Sequence, residues 1–258
     1  MSQFIDKLNQ MIKTTFQPLG FRSLAQSHVK PRLLFVASLK QGEQPDRPDD
    51  AFSGADAILF APEAGAKSGT KLVPYPASIP WGISVKEPGI KDLKPFIEDG
   101  CDFLVFSPGA TPLSIPKDAG KIGRILRIDS SISDSLLRTL NELAVDALLI
   151  ADEAKKESFL TWQHLMALRR LTISLMKPRL LMTPPELSED EIQLLWDAGI
   201  DGVVIETDIA QASARMQKLR QTIDKMTLAP RRHKRGEAIL PRIAEERPAP
   251  LEEDEEEE

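Results

Sequence analysis

GIDGVVIET, residues 199–207, carries the pattern from which the rest of the chain can be read. A glycine that can close a helix is followed by an aspartate and then by a continuous apolar, β-branched run. Glycine tolerates the left-handed conformation at a helix end, and a run without polar alternation suits a strand buried on both faces. The unit recurs. GADAILFA (54–61) and GCDFLVFS (100–107) open in the same manner, and AVDALLIAD (144–152) does so with Ala144 in place of the glycine. Their aspartates, Asp56, Asp102, Asp146 and Asp201, lie 46, 44 and 55 residues apart, enough for two strand–helix modules per unit. The alternate modules supply the strands RLLFVASL (32–39), WGISVK (81–86), RILRID (124–129) and PRLLMT (178–183). Helical patterns at 89–99, 131–144, 158–176, 188–198 and 208–226 fall between or after them. Ser188 and Glu191 have capping-box spacing, which marks a helix start. Eight strands alternating with helices predict an α/β fold, a (β/α)8 TIM barrel, rather than an open doubly wound sheet.

Composition agrees. The chain has 258 residues, 41% hydrophobic and 28% charged, which excludes a wholly disordered or collagen-like protein and suits a single barrel domain. At the N-terminus Phe4, Ile5, Leu8, Met11, Ile12 and Phe16 have helical spacing, so a leading helix is expected to close the barrel bottom. The barrel with this helix is assigned to 1–228. Residues 229–258 combine RRHKR, three prolines after Pro230 and EEDEEEE, and are expected to form a disordered, charged C-terminal tail. Six basic and ten acidic residues from Pro230 onward give the tail −4 of the net −6. A near-neutral body does not suit a nucleic-acid binder. No apolar run reaches the ~18 residues of a membrane span, and the start lacks a signal-peptide core. A single cysteine, Cys101, excludes an intrachain disulfide and a cysteine-based zinc site. The expectation is a cytoplasmic protein that binds a small-molecule ligand, with no nucleic-acid or membrane partner and a homo-oligomer left open.

The connections at 40–53 and 62–80 are rich in proline, glycine and charge, and are expected to be long loops at the top of the barrel. Gly65-Ala66-Lys67-Ser68 in the second lacks the earlier glycine of a phosphate loop. The four repeated aspartates sit where strands begin, at the stability face of a barrel, and are read as loop-bonding groups.

Chemistry belongs at the C-terminal strand ends. Counting from each repeated aspartate, the second and fourth residues are large and apolar and should face the helices. The first, third and fifth are generally smaller and should face the lumen. Glu206 breaks that inward series. The same alternation leaves Ser84 and Lys86 inward on the third strand, and Arg127 and Asp129 inward on the fifth. It gives Thr183 an inward place on the seventh if Leu180 and Met182 pack outward. Ser107 falls at the tip of the fourth. The first strand is ambiguous, one parity placing Ser38 and Lys40 in the lumen. The candidate catalytic residues are Lys86, Asp129 and Glu206, and the candidate substrate-binding residues are Arg127, Ser84, Ser107 and Thr183. A desolvated lysine can act as Schiff-base nucleophile or base, carboxylates can move protons, and arginine can hold a carboxylate or phosphate. A structural ion network is the alternative, since buried charges need partners. Asp152, Glu153, Glu63 and Asp208 could form an acidic rim for Mg²⁺, or simply a solvated rim. None of His28, His164 and His233 falls at a strand tip, so no metal-ligand set is assigned and no cofactor is specified.

The strand entries of the type seen in GADAIL, with the KPRLL strand at 177–181, resemble the aldolase-type barrels. The likeness is to the ribulose-phosphate-binding group that includes indole-glycerol-phosphate synthase, over roughly residues 30–225. That resemblance implies a barrel enzyme of lyase or aldolase type. The group's phosphate grip is built from Gly-rich loops after strands seven and eight. Here those tips read Thr183-Pro184-Pro185-Glu186 and Glu206-Thr207-Asp208, and the following helix opens with Glu189, Asp190 and Glu191, which repel phosphate. Three functions stand: a lyase or aldolase-like enzyme for a small carboxylated or carbonyl compound, a non-catalytic barrel acting in assembly or regulation through its tail, and a Mg-dependent enzyme using the rim.

Overall fold

The computed structural model describes residues 2–15, 32–39, 52–60, 78–85, 94–109, 111–113, 122–152, 159–207, 209–226 and 228. Eight strands, β1 (Leu34–Leu39), β2 (Ala57–Phe60), β3 (Trp81–Val85), β4 (Phe103–Phe106), β5 (Gly123–Ile128), β6 (Ala147–Ile150), β7 (Arg179–Thr183) and β8 (Gly202–Thr207), pair in chain order into one closed barrel. Every neighbouring pair is parallel, including β8 with β1. The predicted TIM barrel is the observed fold. Six helices are described: α1 (Gln3–Thr15), α2 (Lys94–Glu98), α3 (Asp134–Glu142), α4 (Trp162–Ser174), α5 (Glu189–Ala198) and α6 (Ile209–Lys225). The loops at 40–51 and 62–77, Lys86 and the tail from 229 lie outside the described residues.

Two apolar clusters separate along the strand pleat. Leu34, Val36, Ala57, Leu59, Phe103, Val105, Ile125, Ala147, Leu149 and Val204 fill the lumen. The alternate residues, among them Phe35, Ile58, Ile83, Leu104, Leu126, Leu148 and Val203, pack against the helices. The alternation counted from the repeated aspartates therefore holds on all four even strands. Phe103 is the large exception inside. It fits because Gly82 lies across from it, where even a Cβ would come within 2.4 Å of its ring and its carbonyl oxygen.

At the bottom of the barrel three of the aspartates do the same job. Each donates its N–H to a carbonyl of the preceding strand and accepts that residue's N–H on its carboxylate. Phe35 N donates to Asp56 at 3.0 Å, Arg124 N to Asp146 at 2.8 Å, and Arg179 N to Asp201 at 2.9 Å. Arginines complete the clamps: Arg32 and Arg220 on Asp56 at 2.9 and 3.0 Å, and Arg179 on Asp201 at 3.1 Å. Burial pushes the Asp56 carboxyl above its ordinary value, against the downward pull of Arg32 and of the Phe35 N–H. Gly54, Gly100 and Gly199 precede three of the four aspartates with φ near +100°, the left-handed turn that lets the chain reverse.

Asp102 differs. Its carboxylate accepts from Ser2 Oγ and Gln3 N at 2.7 Å and from Phe4 N at 2.9 Å, so it caps a helix a hundred residues away. That helix, α1, presses Phe4, Ile5, Leu8 and Met11 into the lumen cluster, with the Phe4 and Phe103 rings 4.9 Å apart. The N-terminal helix closes the barrel bottom, as its periodicity predicts.

Candidate functional site

With the bottom sealed by apolar side chains, polar lumen residues gather at the other end. Ser38 on β1 pairs directly with Glu206 on β8. The residues two before them, Val36 and Val204, belong to the lumen cluster, so both side chains point inward one step nearer the mouth. Ser84 on β3 pairs with the lumen residue Val105, and Arg127 on β5 with the lumen residue Leu149. Ser38, Ser84 and Arg127 are buried, while Glu206 is exposed. Ser107 follows Phe103 and Val105 in the same alternation and is half-buried at the end of β4. Asp129, just past β5, is exposed, and its Oδ1 accepts from Ser131 N at 2.8 Å, bending the chain toward α3.

The serines are informative. Ser38 and Ser84 are only 5% and 6% exposed, yet neither hydroxyl bonds to any of the described residues. A hydroxyl carries one donor and two acceptor positions, and leaving it unmatched costs roughly 1–3 kcal/mol. Hydroxyls in this state are placed to meet solvent or a ligand.

One expectation is corrected. Thr183 does not face the lumen. Leu180 pairs with Leu149 and lies in the lumen cluster, Met182 pairs with Val204 and packs against it, and Leu181 belongs to the helix side. Thr183 therefore turns toward the helices beside Ile205, where its buried Oγ1 has no partner among the described residues. RLLMT is apolar at every interior position, so only pairing with β6 and β8 fixes its parity. The ambiguity of β1 resolves the other way, adding Ser38 to the site. Lys86, the candidate nucleophile, follows β3 but lies outside the described residues.

Other candidates have structural work. Asp152 accepts from Ser130 N and Ser130 Oγ, both at 2.7 Å, and so ties the tips of β5 and β6 together. Glu63, Glu153 and Asp208, its supposed rim partners, lie outside the described residues; among those described, no group of three His, Cys, Asp or Glu could hold a metal ion. His164 caps α4: its N–H donates to Thr161 Oγ1 at 3.3 Å and its Nδ1 accepts from Thr161 N at 3.1 Å. At the start of α5, Ser188 N and Oγ donate to Glu191 at 2.8 and 2.9 Å, and Glu191 N donates back to Ser188 Oγ at 3.2 Å. The predicted capping box thus fills that helix N-terminus with the chain's own carboxylate.

The closed parallel barrel has counterparts among solved structures. The chain is similar to the tryptophan synthase alpha chain of Legionella pneumophila, with a TM-score of 0.58 and 14% identity over 88% of this chain and 98% of that one. Tryptophan synthase from M. tuberculosis gives a TM-score of 0.58 and 12% identity, covering 86% and 99%. Thiamine phosphate pyrophosphorylase from Pyrococcus furiosus gives 0.50 and 13%, covering 74% and 96%. The shared property is the closed parallel (β/α)8 barrel. At such identity the likeness is one of fold, and fold does not carry chemistry with it. No protein-family model and no curated protein sequence matches the chain. Among the described residues no helix is long and apolar enough to cross a membrane.

Proposed function

We propose that the mouth of this barrel binds a small carboxylated carbonyl or hydroxy compound and acts on it as a lyase or aldolase-like enzyme. The observation that carries the reading is the pair of buried hydroxyls of Ser38 and Ser84, without a partner among the described residues, in a lumen mouth that also holds Arg127 and Glu206. Arg127 on β5 and Glu206 on β8 stand three strands apart around the barrel. In this reading Arg127 holds the ligand's carboxylate, for which its planar fork is suited. Ser38, Ser84 and Ser107 bond the carbonyl or hydroxyl. Glu206, beside Ser38, takes or returns a proton, with Asp129 at the rim as the second carboxylate. Lys86 is the candidate Schiff-base nucleophile or base. The names of the similar structures include a phosphate ester, but the self-capped, triply acidic start of α5 disfavours a phosphate at that helix N-terminus in this chain.

A thermal-shift screen with 2-oxo acids and hydroxy acids tests the reading, because a ligand at 100 times its Kd stabilises the native state by about 2.7 kcal/mol. A compound should raise the melting temperature of the parent protein and fail to do so with Arg127→Met or Ser84→Val. Borohydride with a 2-oxo acid should add the reduced adduct's mass to the parent and not to Lys86→Met. No shift with any carbonyl or hydroxy acid, or a shift that survives both mouth substitutions, sinks the proposed site.

A further inference from the structure

Helix α4 has two apolar faces. Leu168 and Leu171, with Leu175 just beyond the helix end, are buried against the barrel. On the opposite side Trp162, Met166, Arg169 and Ile173 recur at spacings of four, three and four, with Phe159 before the helix and Met176 after it. The five apolar members are 64% to 87% exposed. A helix apolar on both sides belongs between two partners, and the barrel supplies one. At roughly 100–200 Å² per side chain the five present on the order of 700 Å² of apolar surface. That exceeds the ~300–600 Å² patch of a typical monomer and approaches the ~800 Å² each partner contributes to a standard interface. The face is also held rigidly. Arg170 donates to Asp134, Ser130 O and Ile132 O at 2.7 to 2.9 Å, and Asn141 donates to Ser174 O at 2.8 Å. Little ordering entropy would oppose association.

We infer that this face joins two copies of the chain, their α4 helices antiparallel about a two-fold axis at Met166. The order of residues along the stripe argues for a second copy over another partner. Aromatics, Phe159 and Trp162, stand at one end, and a cation and an aliphatic, Arg169 and Ile173, at the other. Antiparallel pairing sets Phe159 against the partner's Ile173 and Trp162 against the partner's Arg169, whose guanidinium has no ion pair among the described residues. A guanidinium over an indole face is favourable, and the axis at Met166 keeps the two Arg169 side chains apart. An isologous contact of this kind closes after two copies.

Sedimentation equilibrium of the full chain from about 1 to 100 µM tests the inference. The parent should be a dimer, and Trp162→Glu or Ile173→Glu should weaken it at least 100-fold with an unchanged circular dichroism spectrum. Leu136→Glu, an exposed residue on neighbouring α3, should leave it intact. Met166→Cys should crosslink to itself on oxidation, since native Cys101 is buried. A parent that is monomeric throughout overturns the inference and leaves the face to a different partner. A dimer unaffected by both glutamates overturns it as well, and a dimer lost in them but not crosslinked through position 166 overturns the antiparallel arrangement.

Discussion

Replacing Asp102 with alanine should uncouple α1 from the barrel. The carboxylate receives three donors, two of them the backbone N–H groups of Gln3 and Phe4 at the start of α1. Losing an N-cap acceptor costs ~1–2 kcal/mol, and removing a negative charge from a helix N-terminus adds ~0.5 kcal/mol. The expected loss is therefore about 1.5–2.5 kcal/mol, or roughly 3–10 °C in melting temperature for a domain of this size. Asp146→Ala is the internal control. Its carboxylate receives one backbone N–H, and its ion pair with Arg124 is long, at 3.7 Å, and a third exposed on both sides, so about 1 kcal/mol is expected. Urea unfolding measures both. Amide exchange separates local from global effects: Asp102→Ala should speed exchange at Ile5 and Leu8 more than in β6, since the docked face of α1 is what opens. If the two alanines cost the same, or if Asp102→Ala leaves the urea midpoint and the α1 amides unchanged, Asp102 is not the anchor of the seal.

Two further outcomes follow from the lumen and the helix layer. Gly82→Ala should destabilise by ~3 kcal/mol or more, because its Cβ meets the Phe103 carbonyl as well as the ring. Adding Phe103→Leu should recover little in a urea titration, and full recovery would show that the ring alone was the obstacle. Burial pushes the Cys101 thiol up to about 12, so it should resist a disulfide reagent at pH 8 until the chain unfolds. An unfolded thiol ionises near ~8.5 while the folded one keeps its proton. The associated stability is thus complete below ~8.5 and falls as pH rises from there toward 12. Rapid reaction of the native protein would refute the burial argument.

Much of this fold is legible from the order of residues alone. A strand face can be read wherever large and small residues alternate from a fixed start, as they do after Asp56, Asp102, Asp146 and Asp201. That was enough to set the barrel, to put Arg127 and Glu206 in its lumen and to keep the repeated aspartates out of the chemistry. Local signals served equally well: the Ser188–Glu191 box and the left-handed turn at Gly199 involve residues a few positions apart. Tertiary structure decided what depends on distant partners. β1 and β7 are apolar on both faces, so only the hydrogen-bond register with β8 and β6 turns Ser38 inward and Thr183 outward. Asp102 looks in sequence like its three counterparts, yet α1 packs under that strand and takes its carboxylate as a cap. The outer stripe of α4 reads as core by period alone; its exposure appears only once the other face has been placed against the barrel.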